Sequence, residues 1–123
     1  MDKQRRKELR EQFEQMKTYM GVYKITNTVN GKIFVGSSPN LKNRWTTIKW
    51  QLDMGMHVNS ELQKDWNELG QGAFIYEILE KKDADKAFDA RWETKQMEKA
   101  WLEKLQPYGH NGYNRRKTRI NYE

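Results

Sequence analysis

The hydrophobic and polar positions of residues 21–36 form two apolar-rich runs around a polar centre, which predicts a β-hairpin. GVYKITN and KIFVG hold the β-branched and aromatic residues, and TVNG lies between them. An Asn-Gly pair tolerates positive φ angles, so we expect Asn30 and Gly31 at the centre of a tight type I′ turn. Opposed residues then have numbers that sum to 61, and this odd sum places Tyr23 and Phe34 on one face. A symmetrically longer loop keeps the sum odd and both rings on that face.

Apolar residues recur at helical spacing in four further segments, which predicts four helices. They are residues 3–17, 41–52, 60–69 and 83–105. We expect the first helix to pack its narrow apolar stripe on the outside of the domain. The second is expected to end at Gly55, the third at Gly70 and the fourth before Pro107. The apolar stripe of the fourth segment is irregular, which indicates a break.

The run AFIYEILE at residues 73–80 predicts a third strand, because it is rich in β-branched and aromatic positions. The whole chain has 123 residues, a length typical of one domain. It contains no internal repeat and no linker-like segment that would separate a second domain. We therefore expect a single mixed α/β domain.

Composition narrows the class of protein. The chain has no Cys, which excludes disulfides and thiolate metal sites. The N-terminal residues do not resemble a signal peptide, and the chain has no long apolar run for a membrane span. We expect a soluble, cytoplasmic protein with no membrane partner.

The net charge of +6 is unevenly distributed. Residues 21–60 carry five basic and one acidic side chains, and residues 109–123 carry four and one, whereas residues 61–108 carry eight and eleven. Basic regions of this kind favour a polyanion such as DNA as partner. A domain that uses the acidic residues 61–108 to bind another protein is an alternative, and it predicts no salt-dependent affinity for DNA.

Two short motifs carry a family resemblance. GVY at residues 21–23 and FVG at residues 34–36 resemble the paired signature of the GIY-YIG endonuclease family. Further residues match the family pattern in order along the chain. They are Arg44, His57, Glu98 and Asn114. The resemblance covers about residues 20–114, and it implies a small, mainly antiparallel three-stranded sheet flanked by helices, with residues 1–19 as a helical extension and 115–123 as a basic tail.

The resemblance implies a divalent-metal-dependent endonuclease that hydrolyses DNA phosphodiester bonds. Tyr23 is the candidate general base or water-orienting residue, and His57 could share or relay the proton. Arg44 offers a planar fork for phosphate oxygens. Glu98 is the candidate ligand of Mg²⁺ or Mn²⁺, and a lone carboxylate points to one metal ion. Asn114 is the last residue of the family pattern along the chain. Taken singly, Arg44 and Glu98 are typical of solvated helix residues, and His57 and Asn114 of surface, capping or turn residues. Tyr23 and Phe34 alone are typical of a cross-strand aromatic pair that covers a core.

Phe34 departs from the family pattern, which usually has a tyrosine there. A phenyl ring keeps the packing and lacks the hydroxyl. A nucleic-acid-binding domain that does not cut is therefore the alternative function.

Several basic residues are candidates for contact with DNA. They are Lys42, Arg44, Arg115, Arg116 and Lys117, with Arg119 further along the tail. Ser37 and Ser38 could contact phosphate, but their position before a helix favours capping. Because no second DNA-binding module is evident, we expect any sequence specificity to come from the tail, the N-terminal helix, or a separate DNA-targeting domain or protein.

Overall fold

A computed structural model describes residues 3–116, and for residues 13–16 it describes the helical backbone only. Helices and strands follow one another in the order that the hydrophobic pattern predicts. They are α1 (Lys3–Met16), β1 (Tyr19–Asn27), β2 (Ile33–Ser38), α2 (Arg44–Asp53), α3 (Ser60–Leu69), β3 (Phe74–Asp83) and α4 (Ala90–Leu105). Short 3₁₀ turns occupy Gln71–Ala73, Ala84–Lys86 and Gly109–Asn111. Lys117 and Arg119 lie outside the described residues.

The strands form one antiparallel sheet in the order β2-β1-β3, so β1 is central. Helices α2 and α3 cover one face, where Ile25 packs with Leu52 and Trp66. Helix α4 covers the other face, where Val22 packs with Met97. The expected three-stranded sheet flanked by helices is confirmed. Its two apolar layers follow from the alternation of side chains along β1.

The hairpin loop is longer than the predicted two-residue turn. Ile25 pairs with Phe34 and Tyr23 pairs with Gly36, so paired numbers sum to 59 rather than 61. The Asn27 backbone N–H donates to Lys32 at 2.9 Å, which leaves a loop of residues 28–31. The Asn27 side-chain oxygen accepts the Val29 N–H at 2.9 Å, a bond that stabilises the longer loop. Because the sum stays odd, Tyr23 and Phe34 do share one face.

Helix α2 begins later than its apolar spacing predicts. The Leu41 backbone N–H donates to the carbonyl of Tyr19 at 2.8 Å, so Leu41 docks on the sheet before the helix begins. Helix α4 also begins later, at Ala90, where the Asp89 side chain caps the Trp92 N–H. The predicted break is the turn Ala84–Lys86. Tertiary contacts of Leu41 thus replace the helical hydrogen bonds that its spacing suggested.

Helix α1 does not pack as predicted along its described side chains. Residues 3–12 are all exposed, and Leu9 of the predicted apolar stripe is 46% exposed. The helical prediction is right, and the packing prediction is wrong over this range. In the described part of the chain, no helix has the length and apolar character needed to cross a membrane.

The C-terminal segment completes the sheet at the outer edge of β2. Gly112 forms a parallel bridge with Ile33, and the Tyr113 hydroxyl accepts a 2.9 Å bond from Asn27 and donates one of 2.6 Å to Asp65. Burial is the main cause that raises the pKa of Tyr113 to about 12, and Asp65 adds to it. This buried network joins the hairpin loop, α3 and the C-terminal segment.

Substitution Tyr113→Phe is expected to destabilise the protein by about 1–3 kcal/mol. It leaves the amide of Asn27, which is 0% exposed, without its hydroxyl partner. The free energy of unfolding in urea measures the effect, with Tyr108→Phe as the matched control. Equal stability of both variants would contradict this role of the network.

Candidate active site

Tyr23 reaches toward the outer edge of the sheet across a glycine. It is 3% exposed, and a Cβ atom placed on its paired residue Gly36 would lie 2.4 Å from the Tyr23 hydroxyl oxygen. A β-bulge between Val22 and Tyr23 in the β1–β3 pairing shifts the register at this point. Bulges commonly re-aim a side chain beside a functional site. Gly36 is thus the reason that the Tyr23 hydroxyl can lie against β2.

Arg44 stands beside this hydroxyl at the first residue of α2. Its guanidinium carbon lies 5.9 Å from the centroid of the Tyr23 ring. The preceding Asn43 has a φ of 56° and no side-chain capping bond, so α2 begins directly with Arg44 facing the sheet. Lys42 is exposed in the connection before α2. A guanidinium here can pair with phosphate oxygens while it contacts the Tyr23 ring.

The surroundings of Tyr23 favour the neutral form of its phenol. Burial is the largest influence and raises its pKa, the charge and hydrogen bonding of Arg44 lower it by less, and the charge of Glu98 raises it again. The anion needed for a general base is therefore disfavoured at neutral pH. Between the two roles predicted for Tyr23, the geometry favours orientation of water or phosphate by its O–H.

His57 approaches the same face from the α2–α3 connection. Its ring meets Phe34 edge-on, with centroids 5.4 Å apart and an interplanar angle of 83°. Its Nδ1 accepts the backbone N–H of Asn59 at 3.0 Å, which assigns the proton of the neutral ring to Nε2. His57 in this tautomer donates from Nε2 and does not accept a proton there.

Burial, and to a smaller extent the positive charge of Arg44, lower the pKa of His57 below its ordinary 6.5. The unfolded chain therefore takes up this proton at a higher pH than the folded one. Stability is expected to be full above pH 6.5 and to fall as the pH drops below it toward the folded pKa. Urea unfolding can be measured at about pH 7.5 and at about pH 5.5, which bracket that value. The loss of stability between the two should be smaller in His57→Gln than in the parent protein. An equal loss of stability in the two proteins would mean that a group other than His57 causes the pH dependence.

Glu98 comes from the opposite face of the sheet, on α4. Its Oε1 accepts a short hydrogen bond from the hydroxyl of Ser37 and lies 3.8 Å from Nζ of Lys95. Ser37 follows Gly36 at the end of β2, so Glu98 and the Tyr23 hydroxyl meet at consecutive residues of that strand. The influence of Glu98 on the pKa of Tyr23 reflects this proximity.

The Glu98 side chain suits a single divalent ion. Its side chain is 22% exposed, and both of its described contacts use Oε1, so Oε2 is available to a metal. Residues 3–116 contain no cluster of three or more His, Cys, Asp or Glu side chains that could hold an ion. Mg²⁺ keeps several waters and needs only one or two protein carboxylates. The donor set therefore fits a one-metal site with Glu98 as its protein ligand.

Asn114 orders the strand rather than pointing at the other site residues. Its Oδ1 accepts from the backbone N–H of Val35 and its Nδ2 donates to the carbonyl of Val35, both at 2.8 Å. These bonds occupy the free edge of β2 between Phe34 and Gly36. Asn114 thus acts as a structural partner of the strand that carries the site.

The basic residues after Asn114 contact α3 and the segment that follows α4. Arg115 donates to Ser60 at 2.8 Å. Arg116 lies over the Tyr108 ring, with its guanidinium carbon 4.3 Å from the centroid. Both are exposed and can reach a DNA backbone. Lys117, predicted to join them, lies outside the described residues.

The sequence did not identify three residues near Tyr23 as part of the site, namely Gly36, Ser37 and Tyr76. Ser37 was expected to cap a helix and instead holds Glu98, while Ser38 bonds to Asn40 within the turn before α2. Gly36 was noted only as part of a motif. The strand pattern of residues 73–80 does not distinguish Tyr76 from its neighbours, although its ring centroid lies 5.4 Å from that of Tyr23. Its aromatic neighbours come from distant segments, so no local signal marked it.

The comparisons with known proteins agree with this geometry. A family model described as the GIY-YIG catalytic domain matches residues 19–114. The chain is 33% identical over 94 residues to intron-associated endonuclease 1 of Enterobacteria phage T4, a match that covers 76% of this chain and 36% of that protein. The chain thus spans about a third of the length of this curated relative.

Solved structures support the fold. The catalytic domain of the homing endonuclease I-TevI superposes with a TM-score of 0.64 at 30% identity, covering 77% of this chain and 96% of that one. A glutamate-to-alanine variant of that catalytic domain gives a TM-score of 0.66 at 28% identity, covering 84% and 99%. The architecture expected from the sequence is that of these domains.

Proposed function

Because the chain belongs to the GIY-YIG family, we propose that it is a divalent-metal-dependent endonuclease that hydrolyses DNA phosphodiester bonds. The observation that carries the proposal is the meeting of Tyr23, Arg44 and Glu98 at the outer edge of β2, from three different elements. The similar T4 protein and the I-TevI domain are both named as endonucleases.

Each of the site residues has a different role in hydrolysis. The Arg44 guanidinium binds the non-bridging phosphate oxygens and balances their charge. The Tyr23 O–H orients the attacking water, and the Nε2–H of His57 donates to a phosphate or leaving oxygen. Glu98 holds the ion, with Ser37 fixing one carboxylate oxygen. Mg²⁺ or Mn²⁺ at this carboxylate would supply stabilisation of the negative charge that develops during hydrolysis.

The partner in this proposal is DNA, held beside the site by basic residues. Exposed Lys42 lies before α2, next to Arg44, and exposed Arg115 and Arg116 follow Asn114. Since the chain matches about a third of its T4 relative, we include a separate DNA-targeting domain or protein as the source of sequence specificity. We place the activity in the cytoplasm.

Incubation with supercoiled plasmid and Mg²⁺ tests the function directly. We expect nicked and linear products with the parent protein, and none above background with Glu98→Ala or in EDTA. Equal nicking by parent and variant would mean a contaminating nuclease, and no nicking by either would reject the enzyme.

A second candidate function is binding of nucleic acid without cleavage, which Phe34 favours because it lacks a hydroxyl beside Tyr23. Plasmid retarded in a low-salt gel but never nicked supports this alternative.

Substitution Phe34→Tyr tests whether the missing hydroxyl limits the reaction. The Phe34 ring is only partly buried beside His57, so the added oxygen has room at the surface. We expect nicking to rise by about two- to tenfold, the value of one hydrogen bond. An unchanged or lower rate under single-turnover conditions would mean that this site operates without that hydroxyl.

A further inference from the structure

Tyr76 lies between Tyr23 and Trp45 in a layer of aromatic rings next to the proposed site. It pairs with Ile25 across β1 and β3 and faces α2. Its ring centroid is 5.4 Å from that of Tyr23 and 5.1 Å from that of Trp45, on which it stacks at an angle of 13°. Trp45 is the next residue after Arg44, so Tyr76 touches both Tyr23 and the start of α2.

Two polar atoms in this layer are buried without partners. The Tyr76 hydroxyl and the Arg44 Nε have no hydrogen-bond partner among the described residues. An unpaired buried polar group costs about 1–3 kcal/mol. A phenylalanine at residue 76 would fill the same space without that cost, so packing alone does not account for the hydroxyl.

The two atoms are chemically complementary, and their side chains contact the same ring, that of Tyr23. Arg44 lies over the Tyr23 ring, Tyr76 packs against the same ring, and the charge of Arg44 influences the pKa of Tyr76. The Arg44 Nε–H is a donor, and the tyrosine oxygen can accept. When both terminal nitrogens of a guanidinium bind phosphate, its Nε–H is left for a protein acceptor.

We propose that Tyr76 is a positioning residue for Arg44. Its hydroxyl oxygen accepts the Nε–H when the guanidinium forks onto the scissile phosphate. This inference rests on the proposed endonuclease function and deepens it. The site thus obtains a second tyrosine hydroxyl from β3, whereas the strand β2 carries Phe34 beside Tyr23. Tyr76 acts on the phosphate only through Arg44, because its own hydroxyl is buried.

Substitution Tyr76→Phe separates this role from packing. We expect kcat for plasmid nicking to fall by about five- to tenfold, the value of one hydrogen bond, with KM little changed. Thermal stability should be equal or higher, because an unpaired buried hydroxyl is removed. A purely structural role predicts the reverse, a loss of stability with unchanged kcat.

A second substitution tests the route through Arg44. Lysine has no Nε–H, so Tyr76→Phe should add nothing to the defect of Arg44→Lys. Tyr19→Phe, at another half-buried tyrosine of the sheet, is the matched control and should nick normally. Additive losses in the double variant would overturn the inference and leave the endonuclease function standing.

A measurement that does not depend on cleavage tests the same contact if the parent protein binds DNA without nicking it. The ¹H–¹⁵N signal of the Arg44 Nε–H should be protected from exchange in the complex with a short DNA duplex, and Tyr76→Phe should remove that protection. The same exchange rate in both proteins would overturn the inference. A protein that binds no duplex would reject the proposed function and this role with it.

Discussion

Substitution Glu98→Gln is expected to lower plasmid nicking by about a thousandfold or more, since it removes the carboxylate that we propose as the ligand of the ion. Glutamine has nearly the same shape and still offers an oxygen to the Ser37 hydroxyl, the partner of Glu98 Oε1. The fold should therefore be preserved while the negative charge at the metal position is lost. Initial rates of supercoil loss, measured over a range of Mg²⁺ concentrations, give the effect.

The neighbouring acidic residue Glu103 provides the control, because it is an exposed carboxylate on the same helix. Glu103→Gln should nick at the parental rate. Raising Mg²⁺ should recover part of the activity of Glu98→Gln if the defect is in ion binding. Parental nicking by Glu98→Gln at low Mg²⁺ would contradict the metal role of Glu98.

The second large effect is expected from Gly36→Ala. The added Cβ would lie 2.4 Å from the Tyr23 hydroxyl oxygen and 2.5 Å from its ring carbon Cζ, so the ring must move. Overpacking of this kind costs about 1–3 kcal/mol of stability. A misplacement of about 1 Å at a reacting group can cost about a hundredfold in rate, and we expect a loss of that order.

Urea unfolding and nicking rates should be measured together for Gly36→Ala, so that loss of rate is compared at a temperature where the variant is folded. Gly72→Ala is the control, because a Cβ at Gly72 meets no atom within 4 Å. Parental activity in a folded Gly36→Ala protein would show that the position of the Tyr23 hydroxyl against β2 does not matter.

Residue parity predicted the shared face of Tyr23 and Phe34 correctly even though the turn prediction was wrong. The reason is that the loop gains two residues on the β1 side, which lowers the sum of paired numbers from 61 to 59 and keeps it odd. The actual loop depends on the Asn27 side chain, which bonds to backbone N–H groups of the loop and to Tyr113. Tyr113 is far away in sequence, so local turn preferences did not contain this constraint.

Helix starts were predicted less well, for a related reason. Leu41 has the apolar spacing of a helix, but its backbone bonds to Tyr19 on the sheet. The predicted packing of α1 was wrong over residues 3–12, which are exposed. An apolar stripe shows what a helix can bury, and only the other elements determine whether anything covers it.

The amino-acid sequence alone determined the number of strands, their order along the chain, and the shared face of the two rings. It also contains the motifs that link Tyr23, Arg44, His57 and Glu98 to one family. These features depend on local periodicity and residue identity. Only the tertiary structure decided that Asn114 bonds to Val35, that Ser37 bonds to Glu98, and that Tyr76 packs against Tyr23. Each of these contacts joins segments far apart along the chain, and periodicity shows which face of an element is buried but not which distant side chain it meets.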